Sequence, residues 1–305
     1  MRILTISAVA TVLAVASTAA VLAADKVQIG DAGVFPESIT STADGTLIAG
    51  SIGTGQIYRA APGASLAEGW IPAVAEGPTA VLGVYADEIN NTLWACYSDL
   101  ALFAGAGGKP SMLRSYDLSS GALKTSVPLG EGTFCNDIAT AADGTAYAAD
   151  TAGGQLLKVA PGATTAETFF KDAALASLDG LSFGPDGALY LNGVSTNKLF
   201  RLTMNDGQPG TLTELKLSQD ISGPDGMRFG DDGVLYLAEN GSAQVSAVTF
   251  DGDTANIRVV AKEGWDSPTA VTKVGDTLWV VEAKFSKMAT PQEAGSFYAY
   301  PVPLN

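Results

Sequence analysis

One short unit recurs six times along this chain of 305 residues, and it limits the folds that the chain can adopt. Four copies combine an acidic or amide residue, a strand-forming run and an Asp-Gly pair, and two copies are weaker. Successive copies are 42, 57, 43, 46 and 44 residues apart, a period typical of propeller blades. The marked residue of each copy is, in order, Glu37, Thr79, Asn136, Asp179, Asp225 and Thr269.

The repeat predicts an all-β protein, a six-bladed β-propeller with four-stranded blades. The 35 glycines and the lack of a long helical periodicity after the N-terminal segment agree with this fold. The sequence "SFYAYPV" near the C-terminus supplies only a third strand for the last blade. We therefore expect residues 26–30 to add the outer strand and close the ring, which would remove an exposed sheet edge. Residues 24–305 would form this single domain.

The Asp-Gly pairs fall at two kinds of position. Asp232-Gly233 lies between two hydrophobic runs, which predicts a tight hairpin, because both turn residues tolerate a positive φ. Asp225-Gly226 instead precedes the first of these strands. In the four strong copies the marked residue stands seven positions before the turn Asp. This constant spacing predicts that the marked residues form a ring at one mouth of the central channel.

Two further sets of repeated residues have a structural interpretation. Carboxylates recur at matching strand ends and are candidates to support the ring, and tyrosines recur eleven positions after the ring residue, which predicts packing between blades. The carboxylates are Asp150, Glu239 and Glu282, and the tyrosines are Tyr147, Tyr190 and Tyr236.

The N-terminus is typical of a signal peptide. Met1-Arg2 is followed by an apolar run over residues 3–21, and small residues favour cleavage near Ala23. An uncleaved membrane anchor is the alternative, because the run approaches the length that spans a bilayer. We expect residues 1–23 to be removed and the protein to be exported, either to a periplasm or outside the cell. Cys96 and Cys135 are then compatible with one disulfide, or with two unlinked core residues.

Charge and composition exclude several kinds of function. The chain carries 17 basic and 32 acidic residues, a net charge of −15, which disfavours binding to nucleic acid or to an anionic membrane. A small-molecule substrate is the expected partner. The chain has no histidine, which excludes Ser-His-Asp and Cys-His catalysis and imidazole-ligated zinc or iron.

The predicted ring concentrates three acids and one amide. Carboxylates about 5 Å apart would repel each other by roughly 3 kcal/mol per pair at an effective dielectric of about 20. Either some of them retain protons at a raised pKa, or a cation lies between them. Ligands that are all oxygens favour Ca²⁺ or Mg²⁺, and Ca²⁺ tolerates an irregular shell best. The alternative is that each Asp or Asn only caps its own loop.

The same residues resemble a known family of six-bladed propellers, that of regucalcin, gluconolactonase and luciferin-regenerating enzyme. The resemblance rests on Pro36-Glu37, Asn136-Asp137, Asp179-Gly180 and Pro224-Asp225-Gly226. It implies that Glu37, Asp179 and Asp225 bind a divalent metal, with Asn136 beside them contacting metal or substrate. It also implies that Asp225 is the general base.

Two residues depart from the family's pattern. Asp179 stands where the family usually has Asn, and Phe134 stands where sugar-acid lactonases carry a substrate-binding Arg. The second departure disfavours gluconolactone or gulonolactone as substrate. Phe134, Thr79 and Thr269 are the candidate substrate-pocket residues.

These observations favour an exported hydrolase of lactones or related esters that depends on a divalent metal, Ca²⁺ being expected. The alternative is a non-catalytic propeller that binds a small molecule or a protein partner and holds a structural metal. A propeller that resembles strictosidine synthase and acts through a carboxylate matches the Pro-Glu and Pro-Asp-Gly copies less well.

Overall fold

A computed structural model describes residues 25–102 and 106–304, which form six antiparallel sheets around a common axis. The predicted all-β, six-bladed propeller is confirmed. The predicted signal peptide, residues 1–23, lies outside the described residues. Within the described part of the chain, no helix is long and apolar enough to cross a membrane. The helices described there are short 3-10 turns: Leu100–Leu102, Ala173–Leu175, Asn240–Ser242, Phe285–Lys287 and Pro291–Glu293.

The strands follow the chain from blade to blade, each blade running from the channel outwards. After β1 (Val27–Gly30), blade 1 contains β2 (Pro36–Ser41), β3 (Leu47–Ser51), β4 (Ile57–Ala60) and β5 (Glu68–Ile71). Blade 2 contains β6 (Ala80–Asp87), β7 (Thr92–Ser98), β8 (Met112–Asp117) and β9 (Leu123–Pro128). Blade 3 contains β10 (Cys135–Thr140), β11 (Ala146–Asp150), β12 (Gln155–Val159) and β13 (Glu167–Lys171).

The second half of the chain repeats the pattern with two variations. Blade 4 contains β14 (Leu178–Phe183), β15 (Leu189–Gly193), β16 (Lys198–Asn205) and β17 (Gln208–Glu214). The short β18 (Lys216–Leu217) adds a parallel fifth strand to blade 5, which contains β19 (Pro224–Phe229), β20 (Leu235–Glu239), β21 (Gln244–Asp251) and β22 (Thr254–Ala261). Blade 6 contains β23 (Pro268–Val274), β24 (Thr277–Glu282), β25 (Phe297–Pro303) and β1.

The N-terminal strand closes the ring, as the sequence predicts. β1 pairs antiparallel with β25, so that Val27 faces Ala299 and Gln28 faces Tyr298. Val27 and Ile29 are buried against the core. The pairing joins the two ends of the propeller, and it covers an edge of β25 that would otherwise expose unpaired backbone groups.

Asp232-Gly233 lies in a hairpin turn, as the sequence predicts. In blade 5 the loop between β19 and β20 is closed by Gly230 N–H donating to Val234 O at 2.9 Å. Gly233 has φ 74°, whereas Asp232 keeps a negative φ, so only the glycine is left-handed. The predicted tight hairpin is therefore confirmed, with three residues, Asp231, Asp232 and Gly233, enclosed by this hydrogen bond. The Asp232 carboxylate stabilises the turn, because it accepts the Val234 N–H at 3.1 Å.

Aromatic rings join neighbouring blades, as the repeated tyrosines predict. The Tyr147 ring of blade 3 lies edge-on to the Phe183 ring of blade 4 at 5.5 Å. The Tyr190 ring of blade 4 packs against the Phe229 ring of blade 5 at 5.0 Å. Both tyrosines are buried. The blades therefore pack against one another as one continuous body and hold the mouth of the channel in a fixed shape.

Ring closure by β1 leads to a stability prediction. Ile29 is 1% exposed, so Ile29→Ala removes buried methyl groups from the closing strand and should lower the free energy of unfolding by about 2–5 kcal/mol. Leu123→Ala is the matched control, because Leu123 lies on an outer strand and is 55% exposed. Urea denaturation of both variants measures the difference. Equal losses would show that β1 contributes little to the closed ring.

Candidate active site

Every innermost strand is interrupted by a β-bulge near its first residue. In β19, Pro224 pairs with Glu239 and Met227 with Leu237, which leaves Asp225 and Gly226 outside the ladder. The same interruption occurs at the start of the other five innermost strands. A bulge turns a side chain out of the sheet's normal alternation. The bulged side chains therefore aim at the channel and form the ring: Glu37, Leu82, Asn136, Asp179, Asp225 and Thr269.

Glycine after the bulged residue allows neighbouring strands to approach closely. A Cβ on Gly180 would lie 2.4 Å from the backbone O of Asp225 in the next blade. A Cβ on Gly226 would lie 2.7 Å from Thr269 O. Any other residue would push these strands apart and widen the ring. This close approach explains why glycine follows Asp179 and Asp225, which do not lie in turns.

Blade 2 departs from the sequence-based alignment. The bulge of β6 lies between Val81 and Val84, so Leu82 occupies the ring position and Thr79 is exposed before the strand. The Pro-Thr-Ala match to blade 6 favoured the wrong alignment. The correct one has two signals in the sequence, because Leu82 stands seven positions before the turn residue Ile89 and is followed by Gly83.

The ring opens into a cavity of about 630 Å³ at the mouth of the channel. The cavity brings together Glu37, Asn136, Asp179 and Asp225 with the predicted pocket residue Phe134, whereas Thr79 and Thr269 are not part of its lining. The remaining side chains of the wall are mostly apolar: Ile52, Leu82, Leu100, Val194, Phe285, Met288 and the amide Asn240. The site is thus an apolar cavity with an acidic floor.

Hydrogen bonds hold the floor in place. Asn136 Nδ2 donates to Asp179 Oδ2 at 2.7 Å, and Asn240 Nδ2 donates to Asp225 Oδ2 at 3.3 Å. The buried Asn192 links two blades, because its side chain accepts the Gly180 N–H at 3.2 Å and donates to Asp225 O at 2.6 Å. The sequence analysis did not identify Asn192 or Asn240. Both lie within the repeated unit, but the residue type at each of these positions changes from copy to copy, so the repeat did not single them out.

Burial changes the ionisation of the three acids. Burial raises the pKa of Glu37 well above its usual range, with a further increase from the charges of Asp225 and Asp137. Burial also raises the pKa of Asp179 well above its usual range, and the charges of Asp225 and Glu37 add to the effect. The pKa of Asp225 is raised by burial to about 7, against the opposing hydrogen bonds from Asn240, Asp179 and the Gly226 N–H. The folded protein without a bound cation therefore retains protons here near neutral pH.

The ring offers the donor atoms that a hard cation needs, although it does not enclose one. Asp179 Oδ1 is buried and has no hydrogen-bond partner among the described residues. Carboxylate and amide oxygens suit Ca²⁺ or Mg²⁺. Across residues 25–102 and 106–304, however, no three Asp, Glu, Cys or His side chains already converge on one metal position. Glu37, Asn136, Asp179 and Asp225 fit a cation in the chemistry of their donor atoms.

The carboxylates at the strand ends hold the loops that lead into the ring. Asp150 Oδ1 accepts the Phe134 N–H at 2.9 Å, and Glu239 Oε2 accepts the Ser222 N–H at 3.1 Å. Glu282 Oε2 accepts the Asp266 N–H at 2.9 Å in the same way. In these three blades the second strand thus fixes the residues just before the innermost strand, and with them the direction of the ring side chain.

The two cysteines brace one wall of the cavity. Cys96 of β7 and Cys135 of β10 form a disulfide with their Cα atoms 5.3 Å apart. Cys135 lies between Phe134 and Asn136, both of which line the cavity. The bond therefore ties blade 2 to blade 3 directly beside the amide that contacts Asp179.

Comparisons with known proteins find relatives by structure alone. No protein-family model and no curated protein sequence matches the chain. A gluconolactonase from Xanthomonas campestris is similar in structure, with 15% identity, a TM-score of 0.65 and coverage of 94% of each chain. A luciferin-regenerating enzyme has 12% identity, a TM-score of 0.63 and coverage of 92% of this chain and 94% of its own. Virginiamycin B lyase from Staphylococcus aureus has 16% identity, a TM-score of 0.61 and coverage of 84% and 80%.

These similarities show the propeller fold alone. A gluconolactonase and a luciferin-regenerating enzyme are among the structures similar to this chain, in line with the resemblance of the sequence motifs. A lyase has the same fold. Function must therefore be argued from the side chains of the site.

The raised pKa values predict how stability depends on pH. After removal of cations, the folded ring retains protons that the unfolded chain releases above the ordinary carboxyl pKa, so stability should fall as pH rises from about 5 to about 8. The expected loss is on the order of a few kcal/mol. Asp179→Asn removes one of these acids and should flatten the dependence. Urea denaturation in chelator across this range measures it, and an equally steep fall in the variant would contradict the assignment.

Proposed function

We propose that this chain is a hydrolase of apolar lactones or related esters that depends on a divalent cation, Ca²⁺ being the expected one. The observation that carries the proposal is the combination of three buried acids and an amide at the floor of an otherwise apolar cavity. The structural similarity to a gluconolactonase and the resemblance of the sequence motifs support it. Glu37, Asn136, Asp179 and Asp225 would hold the cation.

The ring residues and the walls of the cavity have separate roles in the proposed reaction. A cation bound at the ring would polarise the carbonyl group of the substrate. Asp225 accepts a proton from the attacking water as the general base. The apolar walls bind the body of the substrate and exclude other water. Because the chain has no histidine, no Ser-His pair is present to form an acyl-enzyme.

The cavity wall indicates the kind of substrate. No Lys or Arg is among the described residues that line it, and the buried Phe134 contributes an aromatic surface. The hydroxyl groups of a sugar-acid lactone would find few hydrogen-bond partners on these apolar walls. We infer that apolar lactones and esters are preferred over sugar-acid lactones.

Export is part of the proposal. The N-terminal apolar segment favours it, and the disulfide between Cys96 and Cys135 suits an oxidising compartment. Ca²⁺ is also more readily available there than in the cytosol.

A second function has one specific observation in its favour. Because no three acidic side chains of the described residues already enclose a metal position, the floor is also compatible with shared protons. A non-catalytic propeller that binds an apolar small molecule or a protein partner would need no more than this. The two functions differ in whether the ring binds a cation.

Calorimetric titration of chelator-treated protein with Ca²⁺ tests the proposal. We expect saturable binding by the native protein, and its loss in Asp225→Asn. Asp186→Asn is the matched control, because Asp186 is an exposed turn residue at the far end of the same type of hairpin. Absence of Ca²⁺ and Mg²⁺ binding by the native protein would favour the non-catalytic function.

Activity measurements complete the test. On a panel of neutral lactones and esters, Asp225→Asn should lower kcat by at least about 10²-fold, because it loses both the general base and a cation ligand, while Asp186→Asn should leave kcat unchanged. Removal of the cation should abolish turnover and its return should restore it. Hydrolysis that persists fully in Asp225→Asn would assign the proton transfer to another group.

A further inference from the structure

A buried ion pair lies directly below the ring, and the sequence analysis did not identify it. Arg228 stands three residues after Asp225 in β19, and Asp137 directly follows Asn136 in β10. Arg228 Nη1 and Nη2 each donate to one oxygen of the Asp137 carboxylate at 2.7 Å. The two side chains are only 11% and 5% exposed. A two-point contact of this kind fixes the relative orientation of both groups.

The same guanidinium also binds backbone carbonyls of three innermost strands. Arg228 Nη1 donates to Met227 O at 2.8 Å and to Leu181 O at 3.1 Å, and Nη2 donates to Val84 O at 3.4 Å. The Asp137 carboxylate in turn accepts the Leu181 N–H at 3.3 Å. One ion pair therefore connects blades 2, 3, 4 and 5 across the axis of the propeller.

Each of these connections lies within two residues of a ring position. Val84 follows Leu82 by two residues, and Leu181 follows Asp179 by two. Met227 follows Asp225 by two residues, and Asp137 is next to Asn136. The ring residues lie in bulges, where the sheet ladder is interrupted. The ion pair supplies hydrogen bonds to the ladder residues that directly follow three of these bulges, Val84, Leu181 and Met227.

Arg228 also separates the two mouths of the channel. It lines a second cavity of about 350 Å³ at the opposite end of the innermost strands, together with Tyr85 and Thr272. Its guanidinium lies 5.3 Å from the centre of the Tyr85 ring. Asp225 lines only the cavity at the acidic mouth. The ion pair thus lies between the acidic floor and the second cavity.

We propose that Arg228 and Asp137 are positioning residues that fix the spacing of four ring side chains: Leu82, Asn136, Asp179 and Asp225. What the ring then does rests on the function proposed above, but the positioning role itself does not. Stability alone is a weak explanation for the pair, because buried ion pairs replaced by apolar residues of similar size often leave proteins equally stable. The contacts of one guanidinium with four blades are better explained by a requirement for geometry.

The double variant Arg228→Met with Asp137→Leu separates positioning from stability, since it removes both charges at once. Two measurements are made. The side-chain amide signals of Asn136 in ¹⁵N NMR report its hydrogen bond to Asp179, and calorimetry with Ca²⁺ reports the ring as a binding site. Arg201→Met is the matched control, because Arg201 pairs with Asp253 at the surface.

We expect the double variant to melt within a few degrees of the native protein, while the Asn136 signals move and the Kd for Ca²⁺ rises at least about tenfold. Arg228→Lys, which keeps the charge but loses the two-point contact, should show the same changes. Arg201→Met should show neither. If the double variant does not fold, the same two measurements on Arg228→Lys test the positioning role.

Unchanged Asn136 signals in the folded variants would overturn the positioning role. If the native protein binds no Ca²⁺, the proposed function fails, but the Asn136 signals still test the positioning role by themselves.

Discussion

Six β-bulges at the start of the innermost strands determine what this propeller can do. Without them, alternation along each strand would place the ring residues against the neighbouring blades and not in the channel. The glycines at positions 83, 180 and 226 then let adjacent strands approach, so that side chains from different blades meet. The fold thus supplies the radial arrangement, and the bulges convert it into a chemical site.

The acidic floor is costly because its charges are buried together. Burial and mutual repulsion favour the protonated forms of Glu37 and Asp179, and Asp225 titrates near neutral pH. A bound cation would reverse this preference, and proton release and cation binding would then be linked. The same environment that makes the empty ring unfavourable at high pH makes it a strong candidate for binding a cation. The positively charged side chain of Arg228 lies below the floor and partly offsets the rise in the pKa of Glu37.

Much of this structure can be predicted from the sequence, because the repeat period and the hairpin signals are local. The blade number, closure by β1 and ring residues in five blades follow from spacing alone. Blade 2 could not be aligned so easily, since Leu82 is apolar and the polar Thr79 offered a false match. The Arg228–Asp137 pair joins residues 91 positions apart, and no local pattern indicates that their side chains meet. Long-range contacts across the channel depend on the assembled ring.

The central claim is that the bulged acids form one cation site at the floor of an apolar cavity. A crystal structure of the chelator-treated protein, soaked with Ca²⁺ and measured for anomalous scattering, tests it most directly. We predict one strong peak within about 2.3–2.6 Å of oxygens from Glu37, Asp179 and Asp225, with Asn136 Oδ1 beside it. A ring without an anomalous peak at saturating Ca²⁺ would contradict the claim.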